Sequence, residues 1–223
     1  MKPLLVFDMD GVLVEVRESY REAIIQTVAK LGGPRLTQRD VQVCKSRGGF
    51  NNDWVASWTL LKENGIDVPY QTVVDTFQSL YLGANEDGLM LRERWFPRDG
   101  LLDRLELKYH LALFTGRLRA EAQWALRHFG CPHTFDPFIA MEDVTVEKPD
   151  PEGLLKIREL TGASDLTYIG DTGDDLRAAN GAGVRFIGIA APDLPEREVL
   201  LQQFRDMGAA AIVDDINSLE EVL

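Results

Sequence analysis

The sequence predicts an α/β fold: a mostly parallel sheet covered on both faces by helices, with an α-helical unit inserted after the first strand. Three observations predict it. Short apolar runs rich in Val, Ile and Phe recur along the chain, each bounded by Gly, Asp or Pro, which suits buried strands. Helical periodicities lie between the later runs, and strands alternating with helices imply βαβ units. From Glu15 to Trp95 that rhythm stops, and only amphipathic helical segments are found.

The elements follow in order. Leu4–Phe7 is the first expected strand. Residues 17–31 read as a helix stopped by Gly32-Gly33-Pro34, and residues 37–45 as a second with Thr37 as N-cap. Residues 53–64 and Tyr70–Leu82 complete the helical set. Trp54 and Trp58, four apart, mark a packing face. The α/β pattern resumes near Pro97, with strands expected at 111–114, 138–140, 166–169, 184–189 and 210–213. Helices are expected at 120–129, with Ala122, Leu126 and Phe129 on one side, at 152–160, with Leu154, Leu155 and Ile157, and at 174–180.

Length and composition bound the function. At 223 residues the chain exceeds one typical domain, and 45% hydrophobic with 27% charged residues is ordinary globular usage. A chain this long buries enough surface to fold without staples. The net charge of −12 repels phosphate backbones, so nucleic acid is not an expected partner. Cys44 and Cys131 lie far apart without CxxC spacing, which excludes a disulfide scaffold and a zinc ribbon; both are expected to be buried free thiols. The four apolar residues before Asp8 are too few for a signal-peptide h-region, and no run approaches a membrane span. A soluble, cytoplasmic monomer or homodimer with no membrane partner is expected.

In an open parallel sheet, ligands bind beyond the carboxyl ends of the strands. The first expected strand is followed by Asp8-Met9-Asp10-Gly11 and the second by Thr115-Gly116-Arg117. After the third comes Glu147-Lys148-Pro149, and after the fourth Gly170-Asp171-Thr172-Gly173-Asp174-Asp175. Singly, each piece reads as structure: Asp-Gly as a turn, Asp171 as a helix cap, Lys-Pro as a loop. Jointly they place acids, a hydroxyl and a lysine at one sheet edge.

That edge has a charge problem. Asp8, Asp10, Asp171 and Asp175 against Lys148 leave three negative charges. Crowded carboxylates bind a cation or have their pKa values forced upward. Oxygen donors without nearby His or Cys point to Mg²⁺, and Mg²⁺ with a protonated Asp10 brings the sum to zero. The site then reads as phosphoryl transfer: one carboxylate attacks phosphorus, a metal and lysine stabilise the oxygens, and a second acid protonates the leaving group. Neither GxxxxGK[ST] nor GxGxxG occurs, which disfavours P-loop and dinucleotide chemistry.

These residues carry a resemblance. Residues 7–13, 113–117, 147–151 and 168–175 are similar, in order and spacing, to the four motifs of the haloacid dehalogenase (HAD) superfamily. The insertion resembles the helical C1 cap of the subgroup containing phosphoglycolate phosphatases and β-phosphoglucomutase. The resemblance implies a Rossmann-like core, residues 1–14 and 96–223, with an inserted α-helical cap, residues 15–95. It implies Asp8 as nucleophile, Asp10 as general acid and then base, Thr115 and the Gly116 amide as phosphate holders, and Lys148 steadying Asp8. Asp171 would ligate Mg²⁺ together with Asp8 and the Asp10 carbonyl, with Asp175 also counted in the metal set. Gly11, Gly116 and Arg117 would border the substrate, although many relatives carry Asn where this chain has Gly-Arg. The acid at Asp10 disfavours dehalogenation. Lys45 and Lys62, the cap lysines, read as solvated helix ends rather than the Schiff-base lysine of phosphonatases.

Substrate identity is expected in the loop 45–54. Arg47 and Asn51 would face the leaving group, Arg47 suiting a second anionic group. The structural alternative is an exposed Arg47, with Asn52 or Asp53 capping the next helix. Residues 50–54 resemble a HAD clade sometimes associated with histidine biosynthesis, which makes a histidinol-phosphate-like substrate worth testing. His110, His128 and His133 read as structural, and 214–215 with 220–221 as a solvated acidic end. The expected function is a Mg²⁺-dependent phosphatase of a small phosphorylated metabolite. The alternatives are a phosphomutase, or a receiver-like phospho-acceptor module whose aspartate would follow the third strand, near Asp143.

Overall fold

The apolar runs pair side by side into one sheet. The computed structural model describes residues 2–131 and 135–223, so His133 lies outside the described residues. The chain divides into two compact units, Met1–Val14 with Trp95–Leu223, and Glu15–Arg94.

The first unit opens with β1 (Leu4–Phe7) and the two-residue β2 (Val14–Glu15), at whose end the second unit begins. That unit holds α1 (Tyr20–Lys30), α2 (Gln38–Ser46), α3 (Asp53–Glu63), α4 (Tyr70–Leu82) and a 3-10 turn at Leu89–Arg92. The chain re-enters the first unit through β3 (Arg94–Trp95), which pairs with β2. It continues as α5 (Leu101–Lys108), β4 (His110–Phe114), α6 (Arg119–His128), β5 (Phe138–Ile139), α7 (Glu152–Thr161), β6 (Leu166–Gly170), α8 (Gly173–Ala182), β7 (Arg185–Ile189), α9 (Arg197–Asp206) and β8 (Ala211–Val213).

The sheet order is β5-β4-β1-β6-β7-β8 with every ladder parallel, the α/β class the sequence predicts. β1 and β6 are buried along their whole length, as a sheet covered on both faces requires. From β1 the chain first builds outward through β4 and β5, then returns to the other side of β1 with β6. That reversal is the topological switch point, where a parallel sheet opens a crevice at its carboxyl edge. Register fixes what gathers there. Phe7 lies opposite Leu113 and Ile169, so Asp8, Thr115 and Asp171 leave three adjacent strand ends within a residue of one another.

Phe114, Tyr168, Phe186 and Phe204, all at most 2% exposed, pack with Leu154, Ile157 and Leu176 in one core. Truncating a buried aromatic of this kind to Ala costs about 3–5 kcal/mol. Helices α5 and α9 are absent from the sequence reading; Leu101, Leu102 and Leu105 bury one face of the first, and Leu200, Leu201 and Phe204 one face of the second. Two expected faces are corrected. In α6 the buried residues include Ala122 and Ala125 rather than Leu126, and in α7 Leu155 is 44% exposed.

In the helical unit, α1 packs against α3 and α4, with Ala23, Ile24, Leu61 and Phe77 fully buried, and Tyr20 stacks on Tyr81 at 4.1 Å. Thr37 caps α2 in a capping box with Asp40, as its position predicts. Cys44 is buried, whereas Cys131 is half-buried, so only one of the two expected buried thiols is one. The acidic end is structural: Asp214 pairs with Arg197, Asp215 caps a 3-10 turn, and Glu220 pairs with Arg104. Among the described residues no helix is long and apolar enough to cross a membrane.

Candidate active site

Lys148 organises the acidic edge. Its side chain is 1% exposed, and its ammonium donates to Asp8 Oδ1 at 2.8 Å, to Asp175 Oδ1 at 2.8 Å and to the Tyr168 hydroxyl at 3.1 Å. All three N–H donors are therefore engaged. The loop that carries it is fixed from α7: Glu152 accepts the Thr145 and Val146 amides and pairs with Lys156 at 2.6 Å. The Lys156 contact and those two amides hold the Glu152 carboxyl down at about 2.

Asp8 is 4% exposed, and its amide donates to Ile169 O at 2.8 Å. Burial pushes its carboxyl up to about 7, opposed by Lys148 and reinforced by the charges of Asp175 and Asp10. Burial would likewise raise Asp175, but Lys148 and then the hydrogen bonds from Thr172 and Tyr168 hold it below the usual carboxylate range. Burial alone would lower Lys148; the Asp175 and Asp8 charges outweigh it and keep the ammonium protonated.

Asp175 is also the N3 residue of α8. Its Oδ2 accepts the Thr172 amide at 3.0 Å and the Thr172 hydroxyl at 2.6 Å, while Thr172 Oγ1 accepts the Asp175 amide. The cap of this helix is thus Thr172 rather than Asp171, a Thr-x-x-Asp box readable from sequence. With Oδ1 taking Lys148 and Tyr168, both oxygens of Asp175 are committed to donors. Tyr168 is the site residue that sequence reasoning missed. Its signal was a hydroxyl inside a fully buried strand, which must find a partner.

Asp8, Asp171 and Asp175 each offer a carboxylate oxygen, all within 4.8 Å of one another. A donor set of hard oxygens, with Asp8 forced upward by burial, fits a hard divalent cation. Gly11 makes room for the Asp171 carboxylate. Its φ is +73°, and a Cβ there would stand 1.9 Å from Asp171 Oδ2. The Gly11 amide donates to Val14 O at 2.8 Å, and what the residue contributes beside Asp171 is the missing side chain.

Thr115 is 1% exposed and Gly116 half-buried at the end of β4. Thr115 Oγ1 accepts the Arg117 amide at 3.1 Å, so its own proton remains to be donated. The Arg117 side chain, 1% exposed, reaches neither surface nor solvent: Nε lies 2.7 Å and Nη2 2.5 Å from Asp10 Oδ1. Four carboxylates thus face two buried cations rather than one, and a divalent ion would balance the remaining charge.

In the helical unit Asn52 caps α3 through the Trp54 and Val55 amides. Arg47, 47% exposed, pairs with Glu63 at 2.6 Å. The buried Nδ2 of Asn51 has no hydrogen-bond partner. Lys45 corrects its expectation: the side chain is only 17% exposed and pairs with Asp53 at 2.5 Å, while Lys62 is exposed and lies over the Trp58 ring. Asp143, the phospho-acceptor position of the receiver alternative, accepts the Ala140 amide and pairs with Arg119, a structural role.

A family model described as haloacid dehalogenase-like hydrolase matches residues 3–183. An imidazoleglycerol-phosphate dehydratase of Phytophthora nicotianae is 34% identical over 207 residues, covering 89% of this chain. The match takes in only 45% of that relative, so the chain spans about half its length. A phosphoglycolate phosphatase of Pectobacterium atrosepticum is 25% identical over 222 residues, covering 91% of this chain and 89% of the relative. The crystal structure of a haloacid dehalogenase-like protein from Agrobacterium tumefaciens superposes with a TM-score of 0.76 at 19% identity, covering 100% of this chain and 97% of that one. This last likeness is one of fold.

Proposed function

The chain belongs to the haloacid dehalogenase-like hydrolase family, and we propose that it is a Mg²⁺-dependent phosphatase that hydrolyses a small phosphorylated metabolite through a phosphorylated Asp8. One observation carries this reading: a buried carboxylate, Asp8, clamped at Oδ1 by a buried lysine, with oxygens of Asp171 and Asp175 within 4.8 Å.

Asp8 and Asp171, with the Asp10 carbonyl, would hold the metal, and Asp175 supports them by fixing Lys148 and the start of α8. When bound, the ion supplies positive charge that keeps Asp8 ionised and offsets the charge on the phosphoryl oxygens. Asp8 attacks phosphorus, the bond from phosphorus to the ester oxygen breaks, and Asp10 gives that oxygen its proton. Thr115 Oγ1 and the Gly116 amide donate to the phosphoryl oxygens, and Lys148 holds Asp8 in line. Asp10 then takes a proton from water as the water oxygen attacks phosphorus, releasing inorganic phosphate and the Asp8 carboxylate.

Two relatives frame the substrate. One is named for phosphoglycolate and the other for an imidazole-bearing phosphomonoester, so a small anionic or imidazole-containing monoester is the class to test. Turnover of p-nitrophenyl phosphate with Mg²⁺, abolished by EDTA and by Asp8→Asn, is the expected result. A stable phosphoprotein without turnover overturns it. A panel of phosphoglycolate, pyrophosphate, sugar phosphates and histidinol phosphate then ranks substrates by kcat/KM.

A further inference from the structure

Arg117 is an arginine buried to 1% whose nearest charge belongs to a carboxylate 31% exposed. A guanidinium survives such burial only with a partner, and here the inner group is the fixed one. Its backbone is locked on both sides: the amide donates to Thr115 Oγ1 at 3.1 Å, and the carbonyl accepts the Met141 amide at 3.0 Å. Asp10 lies half-exposed beyond β1 in an isolated bridge to Val14, where a short side chain has little else to fix its rotamer. Nε donates to Asp10 Oδ1 at 2.7 Å, and Nη2 stands 2.5 Å from the same oxygen as an ion-pair contact. One charge-assisted hydrogen bond and a close ion-pair contact on the same oxygen hold Oδ1 against the buried guanidinium. Oδ2 is then the oxygen that exchanges the proton.

Resting on the phosphatase reading, we propose that Arg117 is the positioning residue of the acid–base carboxylate, holding Asp10 Oδ1 so that Oδ2 faces the leaving oxygen and later the attacking water. Arg117 acts through Asp10 and does not bind the phosphate. That distinction sets the kinetic signature: losing it misplaces a proton carrier and leaves substrate affinity alone. A misplacement of about 1 Å costs on the order of 10²-fold in rate.

The test is a double-mutant cycle on the full chain with p-nitrophenyl phosphate and Mg²⁺. Arg117→Ala is expected to lower kcat by about 10- to 100-fold, with KM within about threefold. Arg117→Lys keeps the charge without the fork and recovers part of the loss; should Arg117→Ala not fold, Arg117→Lys carries the comparison. In an Asp10→Asn background the Arg117 substitution is expected to change kcat by less than about twofold, since nothing is left to position. A raised KM with unchanged kcat, or a full multiplicative loss in that background, overturns the proposal while the phosphatase reading stands. Absence of wild-type turnover overturns the phosphatase reading, and the role of Arg117 with it.

Discussion

Gly11 leaves the space that Asp171 occupies: a Cβ at Gly11 would stand 1.9 Å from Asp171 Oδ2 and 2.4 Å from its Cγ. Gly11→Ala therefore has to turn the Asp171 carboxylate away, besides straining a backbone at φ +73°. Gly162 is the control, with φ +64° and nothing within 4 Å of an added Cβ. Both alanine variants should lose about 1–2 kcal/mol, the cost of a left-handed alanine. Only Gly11→Ala should also lose apparent Mg²⁺ affinity, by about 10- to 100-fold, measured by metal titration of activity. Equal Mg²⁺ responses would mean that Asp171 does not hold the ion.

Tyr168→Phe removes one hydroxyl and leaves the ring packed among Phe114 and Phe186. The hydroxyl accepts from Lys148 and donates to Asp175 Oδ1 at 2.7 Å, so its loss leaves a buried charged pair short of a donor and an acceptor. Urea denaturation should show a loss of about 1–3 kcal/mol, the range for an unsatisfied buried polar group. A change below ~0.5 kcal/mol, the scatter of inert substitutions, would show that Lys148 and Asp175 rearrange without it.

The contrast between Tyr168 and Asp8 indicates what sequence can reveal. Asp8, Asp10, Thr115, Lys148 and Asp171 were legible because each follows an apolar run or occupies a loop, where a charged or polar side chain needs a reason. Tyr70–Leu82 was legible to its end residues because its periodicity is uninterrupted. Tyr168 was hidden because its ring satisfies the burial pattern and its hydroxyl leaves no mark on it. Arg117 was legible as an anomaly but not in its partner, since the Asp10 contact spans 107 residues and depends on β1 and β4 being neighbours. α9 was missed because Leu200, Leu201 and Phe204 form a narrow stripe beside exposed charges. Lys45 was misread because a helix-end lysine is normally solvated, and only the α2–α3 approach brings it to Asp53.

Lys148→Met should be more damaging than its volume suggests. The substitution leaves the Asp8 and Asp175 side chains, 6% and 0% exposed, as two buried carboxylates without their shared cation. Breaking a buried pair from one side costs about 3–5 kcal/mol. Adding Asp175→Asn removes one of the stranded charges, so the double variant should be more stable than Lys148→Met alone. Additive losses in denaturant melts would show that the Lys148 charge is not what the two carboxylates require.

The Asp8 carboxyl supplies the pH dependence. Its folded value of about 7 lies above the ordinary 3.8, so between those values the folded chain binds a proton that the unfolded chain has released. The stability tied to that proton is fully present below the ordinary value and is lost as pH rises through about 7. Above that point the metal-free protein carries a buried anion that Lys148 only partly offsets, and a bound divalent cation would compete with the proton for the same carboxylate. The metal-free melting temperature should therefore fall between about pH 6 and pH 8, and the rise produced by Mg²⁺ should be larger at the higher pH. Asp8→Asn should flatten both trends, which assigns them to the Asp8 carboxyl. An equal Mg²⁺ shift at both pH values, or one that persists undiminished in Asp8→Asn, would place the cation away from Asp8.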